Sequence, residues 1–170
     1  MFRVQGFETR LLGDADGPEL DRLHTRCTDF VRLVEGRDPA PGDGMALLHD
    51  KPPNVFPADK VVVGLFDGQS LAGVVELLRN YPSHTSWYLG LMMLEPQRRR
   101  SGVGSSFYTA VRDWIAEQDG RIIRLIVQSQ NAPALRFWIR QGFELRGSTT
   151  QTSSSRTNEV FQLEHSLQVG

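Results

Sequence analysis

The chain has 170 residues, and 19 basic side chains against 20 acidic ones leave a formal net charge of -1. That length supports one domain with a substantial core, and 39% hydrophobic with 23% charged residues excludes a largely disordered or low-complexity chain. Near-neutral charge gives no support to a general nucleic-acid or membrane-surface binder, and the single cysteine, Cys27, excludes a disulfide framework or a Cys-rich zinc site.

Met1 to Leu12 alternates polar and apolar residues and lacks the apolar core of a signal peptide. No stretch approaches the roughly 18 apolar residues of a membrane span. With the unpaired cysteine, this points to a reducing, cytoplasmic-type compartment.

Phe7 to Leu12 reads as a first strand, and Asp16-Gly17-Pro18-Glu19 as a helix start, with Pro near the first helical position. Apolar residues at Leu20, Leu23, Cys27, Phe30, Val31 and Val34 then keep helical spacing up to Gly36, as one bent helix or two short ones. Gly36 to Pro57 is rich in Pro, Gly and Asp around Met45 to Leu48, and reads as a loop with a short helix. Val61 to Phe66 is a buried strand, and Asp67-Gly68 turns it into a second, Ser70 to Leu78. Trp87 to Leu94 is another apolar run, closed by Glu95-Pro96.

Gly102 to Gln118 places Val103, Phe107, Val111, Trp114 and Ile115 on one helical face. Ile122 to Val127 is strand-like, and Pro133 to Gln141 is a short helix stopped by Gly142. Phe143 to Ser148 and Glu159 to His165 form a last strand pair, with the polar stretch Ser148 to Asn158 between them read as a loop. Antiparallel strands followed by a β-α-β unit indicate an α/β or α+β sandwich around one mixed sheet.

The charge is not spread evenly. Residues 1–60 hold 11 acids and 8 bases, whereas residues 97–140 hold 8 arginines and 3 acids, a local +5. At the start of that window Pro96 breaks a buried strand, Arg98, Arg99 and Arg100 follow, and Ser101-Gly102-Val103-Gly104-Ser105-Ser106 opens a helix. This is an anion cradle: glycines admit a ligand to the backbone, and helix N-terminal N–H groups favour negative charge. Arginines add charge-assisted phosphate contacts. A P-loop would need Gly-Lys-Ser/Thr, and a dinucleotide fingerprint a third glycine where Phe107 stands.

The arrangement resembles the GNAT superfamily of acyl-CoA-dependent N-acetyltransferases. Arg99-Arg100-Ser101-Gly102-Val103-Gly104 matches that family's Gln/Arg-x-x-Gly-x-Gly/Ala at every fixed position. A second match follows at the right distance, in Leu125-Ile126-Val127, Asn131, Ala134, Phe137-Trp138 and Gly142-Phe143. The resemblance implies an N-acetyltransferase domain spanning 1–170, with an acceptor-side segment 1–60 and an acetyl-CoA-binding core 88–145. It also implies a mostly antiparallel mixed sheet, splayed at the cofactor site and flanked by helices.

Carried over, Met92, Met93 and Leu94 offer backbone groups to pantetheine, one N–H polarising the thioester carbonyl. Arg99, Arg100, Ser101, Gly102, Val103, Gly104, Ser105 and Ser106 hold the pyrophosphate, and Asn131 contacts the pantetheine or the adenosine-side arm. The reaction implied is direct attack of a primary amine, on a small molecule or a peptide, in a ternary complex. It uses acetyl-CoA as co-substrate and no metal, and dimers are frequent in the family.

Two family positions differ here. The tyrosine acid is replaced by Trp138, too weak an acid although able to donate a hydrogen bond; Tyr88, Tyr108 or solvent remain for that role. A glutamate of the central strand is replaced by Tyr88, leaving Glu76 and His84 as candidate bases, Glu76 ahead.

Plainer readings stand beside these. Trp138 and Cys27 suit the core, Asn131 suits a helix cap before Pro133, and part of the arginine run suits a solvated face. His24 and Cys27 stand at metal-like spacing, but two ligands make no site. The acids of 1–60 hint at a cationic acceptor such as a polyamine, an aminoglycoside or a peptide N-terminus. Another acyl donor, or a noncatalytic acyl-CoA-binding module, is the alternative function.

Overall fold

The structure, a computed structural model, describes residues 1–153 and 156–167. Seven strands form one sheet in the order β1-β2-β3-β4-β5-β7-β6. They are β1 (Glu8–Leu11), β2 (Lys60–Asp67), β3 (Ser70–Arg79), β4 (Ser86–Leu94), β5 (Ile122–Gln128), β6 (Glu144–Ser153) and β7 (Arg156–Ser166). Every neighbouring pair is antiparallel except β4 and β5. The helices are α1 (Gly17–Arg26), α2 (Thr28–Glu35), α3 (Asp43–His49), α4 (Val103–Glu117) and α5 (Ala132–Arg140).

Both faces of the sheet are covered, which is why β2 and β3 read as continuous apolar runs rather than alternating ones. Val63, Leu65, Val75 and Leu77 join Phe107, Val111 and Ile115 of α4 on one side. Val62, Phe66 and Val74 meet Leu20, Leu23 and Cys27, from α1 and its end, on the other. The first helical segment is two helices: at Cys27 the backbone leaves helical geometry (φ -103°, ψ 32°), and its N–H is shared between Leu23 and His24 carbonyls. Gly36, with φ 70°, ends α2 in the left-handed region where a Cβ is costly.

One expectation is overturned. Much of the polar stretch Ser148 to Asn158 is strand, because β6 and β7 continue beyond the core as a hairpin arm. Its threonines are strand formers whose polarity reflects exposure, and Thr152 and Thr157 share a cross-strand hydrogen bond of 2.9 Å. Residues 154 and 155 lie outside the described residues. Among the described residues no helix is long and apolar enough to cross a membrane.

Candidate active site

The sheet opens at its centre. β4 pairs with β5 only from Ser86 to Tyr88, against Ile122 to Arg124. Beyond that β5 continues along β7 while β4 continues along β3, so the strands diverge. The Glu95 N–H donates to the Ala72 carbonyl across β3. Antiparallel strands alternate their hydrogen-bonding edges, so Met93 and Leu91 also turn toward β3 while Met92 and Leu94 turn into the gap. Of the three residues expected to offer backbone groups, Met93 therefore has its own committed to the ladder. The Leu94 carbonyl accepts from the Arg99 Nε at 2.9 Å, leaving the Met92 peptide groups and the Leu94 N–H facing the gap.

At the end of β4 stands the N-terminus of α4. Gly102 precedes it with φ 87° and open space where a Cβ would lie, and its carbonyl accepts from Ser106. The N–H groups of Gly102, Val103, Gly104 and Ser105 are thus the free donors of the first turn. Gly104 packs between Leu94 and Phe137, and a Cβ there would make ordinary contacts of 3.4–3.6 Å, in keeping with the family's Gly/Ala alternation. The Gln141 side chain donates to Ser105 Oγ at 3.0 Å, tying α4 to the end of α5.

The arginines have divided roles. Arg98 is held by Asp67 and Glu95, and Arg99 by Asp29 at 2.5 Å, so neither guanidinium is free for a phosphate. The hydrogen bond from Arg99 holds the Asp29 carboxyl below its usual range. Arg100 is exposed, has a left-handed backbone (φ 58°) and makes no ion pair among the described residues. Ser101 donates to the Arg98 carbonyl and closes the loop.

A cleft of about 770 Å³ runs from α1, α2 and α3 through the gap to α5. Glu76, Tyr88, Met92, Asn131 and Trp138 all line it; His84 does not, standing exposed in the β3–β4 turn. Glu76 lies over Gly90, where β4 bulges, and an added Cβ on Gly90 would fall on Glu76 Oε2. Its other oxygen accepts from Lys60 Nζ at 2.8 Å, with the two side chains only 14% and 5% exposed. Lys60 also donates to the Asp50 carbonyl.

Lys60 is the site residue that sequence reasoning missed. Counting back from the Asp67-Gly68 turn pairs Lys60 with Leu77, on the face away from Glu76. A bulge between Leu65 and Phe66 shifts the register by one, so Lys60 stands opposite Leu78, two residues from Glu76, and nothing in the sequence announced that shift. Tyr88 meets Tyr81 edge-on at 5.8 Å. Burial, then the nearby Tyr81 and Glu76, push its hydroxyl up to about 12.

Trp138 is 8% exposed and packs edge-on against Tyr108 and Phe143. Tyr108 is fully buried outside the cleft lining, with its hydroxyl 2.8 Å from His165 Nδ1. Asn131 accepts from the Ala134 N–H at 3.3 Å, so it caps α5 while lining the cleft. Cys27 is fully buried; burial raises its thiol, which donates to the Leu94 carbonyl. Among the described residues no cluster of three His, Cys, Asp or Glu side chains is placed to hold a metal.

The model of the acetyltransferase (GNAT) family matches residues 21–143. This chain belongs to the GNAT family. Its fold is shared by solved GNAT acetyltransferases, although identities are low. An acetyltransferase from Thermus thermophilus aligns over 98% of this chain and all of its own, at 21% identity and a TM-score of 0.73. The ribosomal-protein-S18-alanine N-acetyltransferase from Escherichia coli aligns over 96% of both chains, at 11% identity and a TM-score of 0.71. A spermidine N-acetyltransferase from Vibrio cholerae, solved with CoA and spermine, aligns over 94% of both, at 19% identity and a TM-score of 0.71. No curated protein matches the chain in sequence.

GNAT family members bind CoA, and the features of this GNAT chain fit such a ligand. It presents free helix N-terminal donors, an exposed arginine and a strand edge left open by a diverging neighbour.

Proposed function

We propose that this chain is an N-acetyltransferase that moves an acetyl group from acetyl-CoA to a primary amine. The observation that carries this is the junction of three features: an open β4 edge, a free α4 N-terminus beside it, and Glu76 in the cleft that crosses the gap. Acetyl-CoA, when bound, supplies the acetyl thioester that the amine attacks directly in a ternary complex.

The chain's own residues do the rest. Backbone donors of Gly102 to Ser105 hold the pyrophosphate, and Arg100 adds charge from outside. Met92 and Leu94 N–H groups face the gap, where a carbonyl oxygen gaining charge needs donors. Asn131 has one acceptor oxygen on its cap, and its amide N–H groups remain for the pantetheine arm. Glu76 takes the proton that an attacking ammonium must lose. Its Oε1 is held by Lys60, so Oε2, over the bare Gly90, is the oxygen offered to the cleft.

Tyr88 keeps its proton at neutral pH and serves as a hydrogen-bond donor, never as the base. The C–S bond breaks as the C–N bond forms, and the departing CoA thiolate takes its proton from solvent. We place the reaction in a reducing, cytoplasmic-type compartment, which the lone buried thiol of Cys27 supports.

The test is release of free thiol from acetyl-CoA across a panel of primary amines. Transfer is expected with at least one amine, and Glu76→Gln should lower kcat by about 10²-fold or more, the scale of a lost general base, with CoA affinity kept. Binding of CoA with no transfer to any amine would leave a CoA-binding module in place of an enzyme.

A further inference from the structure

Most acids of residues 1–60 are used inside the fold. Asp16 is paired with Arg10, Glu19 with Arg22 and Arg26, Asp29 with Arg99, and Asp38 with Arg32. Asp21 accepts the Gly42 and Gly44 N–H groups. On the cleft wall two carboxylates are likewise matched: Asp43 receives both arms of the Arg37 guanidinium, at 2.7 and 3.0 Å, and Glu76 is held by Lys60. Glu35 stands in the field of Arg37.

Asp50 differs from these. It ends α3, exposed on the cleft wall, and its carboxylate has no ion pair and no hydrogen bond among the described residues. Its place is fixed by its backbone instead. The Asp50 N–H donates to the Ala46 carbonyl at 2.7 Å, and the Asp50 carbonyl accepts from Lys60 Nζ. The same ammonium donates to Glu76 Oε1 at 2.8 Å. A single lysine head therefore stands between the Asp50 main chain and the Glu76 carboxylate, and brings both acids to one stretch of the cleft. Four carboxylates against Arg37 and Lys60 leave the charged lining negative by two, with His24 neutral.

A second polar group is also without a partner. Gln128, across the gap at the end of β5, is 8% exposed, lines the cleft and makes no side-chain hydrogen bond among the described residues. A buried amide so placed takes its partner from water or from a ligand. An acidic wall with unused acceptor oxygens suits a ligand that brings N–H donors and positive charge at more than one point.

We propose that the acceptor is an amine carrying a second cationic group on a short alkyl stem, and that Asp50 holds this second cation while Glu76 serves the reacting amine. The stem is short because only the Lys60 head separates the Asp50 backbone from Glu76. The proposal rests on the acyl-transfer reading for the identity of the reacting group, but its binding consequence can be measured without turnover.

The experiment titrates putrescine and butylamine, which share a carbon chain and differ by one ammonium, calorimetrically into the protein saturated with CoA, which carries no acetyl group. Wild type is expected to bind putrescine at least about fivefold more tightly, the ratio that one partly exposed ion pair supplies. Asp50→Asn removes no contact of the fold, so its Tm should be unchanged. It should bring the two amines to within about twofold of each other by weakening putrescine alone. Equal affinities in wild type overturn the proposal. A preference that survives Asp50→Asn overturns the role of Asp50. A preference lost in Asp50→Asn, with no transfer from acetyl-CoA to any primary amine, supports this proposal while refuting the transferase reading. Transfer to amines without any preference for the diamine does the reverse. Absence of binding by either amine refutes the proposal.

Discussion

Lys60→Met removes one charge from the cleft while keeping an unbranched apolar stem. Lys60 Nζ and Glu76 Oε1 are 2.8 Å apart, and their side chains are 5% and 14% exposed, so the pair is not screened as a surface pair would be. At an effective dielectric of about 20 the gross attraction at that separation is roughly 6 kcal/mol, much of it offset by the desolvation of both ions. Removing one partner leaves the other buried and uncompensated, a change that costs about 3–5 kcal/mol. The Asp50 carbonyl loses its donor at the same time. Urea unfolding should therefore show a free energy lower by about 3–5 kcal/mol at unchanged m-value. Scanning calorimetry should show a Tm lower by about 6–20 °C. Lys60→Met/Glu76→Gln should recover part of the loss, because no orphan charge remains. A loss under about 1 kcal/mol, the range of exposed ion pairs, would refute the reasoning by showing that water reaches both groups.

Two further expectations concern backbone and pH. Gly102 has φ 87°, so Gly102→Ala should cost about 1–2 kcal/mol, whereas Gly104 lies inside a helix with room for a methyl, so Gly104→Ala should be neutral or stabilising by up to about 1 kcal/mol. Urea midpoints in the opposite order would contradict the loop geometry. Burial, then Arg112, lower the pKa of His165 from its ordinary 6.5. The unfolded chain then binds the extra proton first as pH falls, so this contribution is intact above about pH 6.5 and is lost as pH drops toward the lower folded value. Stability of wild type should fall on going from pH 7.5 to 5 by more than that of His165→Gln; parallel curves would remove His165 as the source.

Local chemistry explains what was legible in the sequence. The Asp67-Gly68 hairpin, the helix opened at Gly102 and the α5 stop at Gly142 depend on neighbouring residues, and all three lie where periodicity and turn chemistry put them. The charge pattern was legible only as a sum. Asp29 and Arg99 are 70 residues apart, so nothing local announces that the arginine opening the CoA motif is committed to an aspartate of α2. Gly90 lies inside an apolar run, and its reason appears only when Glu76, from the next strand, fills its side-chain space. The outer part of the β6–β7 arm has a loop-like sequence because its threonines project past the core, where alternation has no buried face to mark. Of the arginines behind the local +5, Arg98, Arg99, Arg112 and Arg124 are ion-paired within the fold. Under the proposed function, the part that would serve the cofactor is the backbone of one helix turn together with Arg100.

The most direct test of the central claim is calorimetric titration of acetyl-CoA into wild type and Ser106→Glu. Ser106 is exposed on the first turn of α4. A carboxylate there suits the helix dipole by about 0.3–1 kcal/mol but opposes an anion in the cradle. Wild type should bind acetyl-CoA with an affinity that falls as salt rises, and Ser106→Glu should bind at least about tenfold more weakly at an equal or higher Tm. No binding by wild type, or equal affinity in both proteins, would contradict the account.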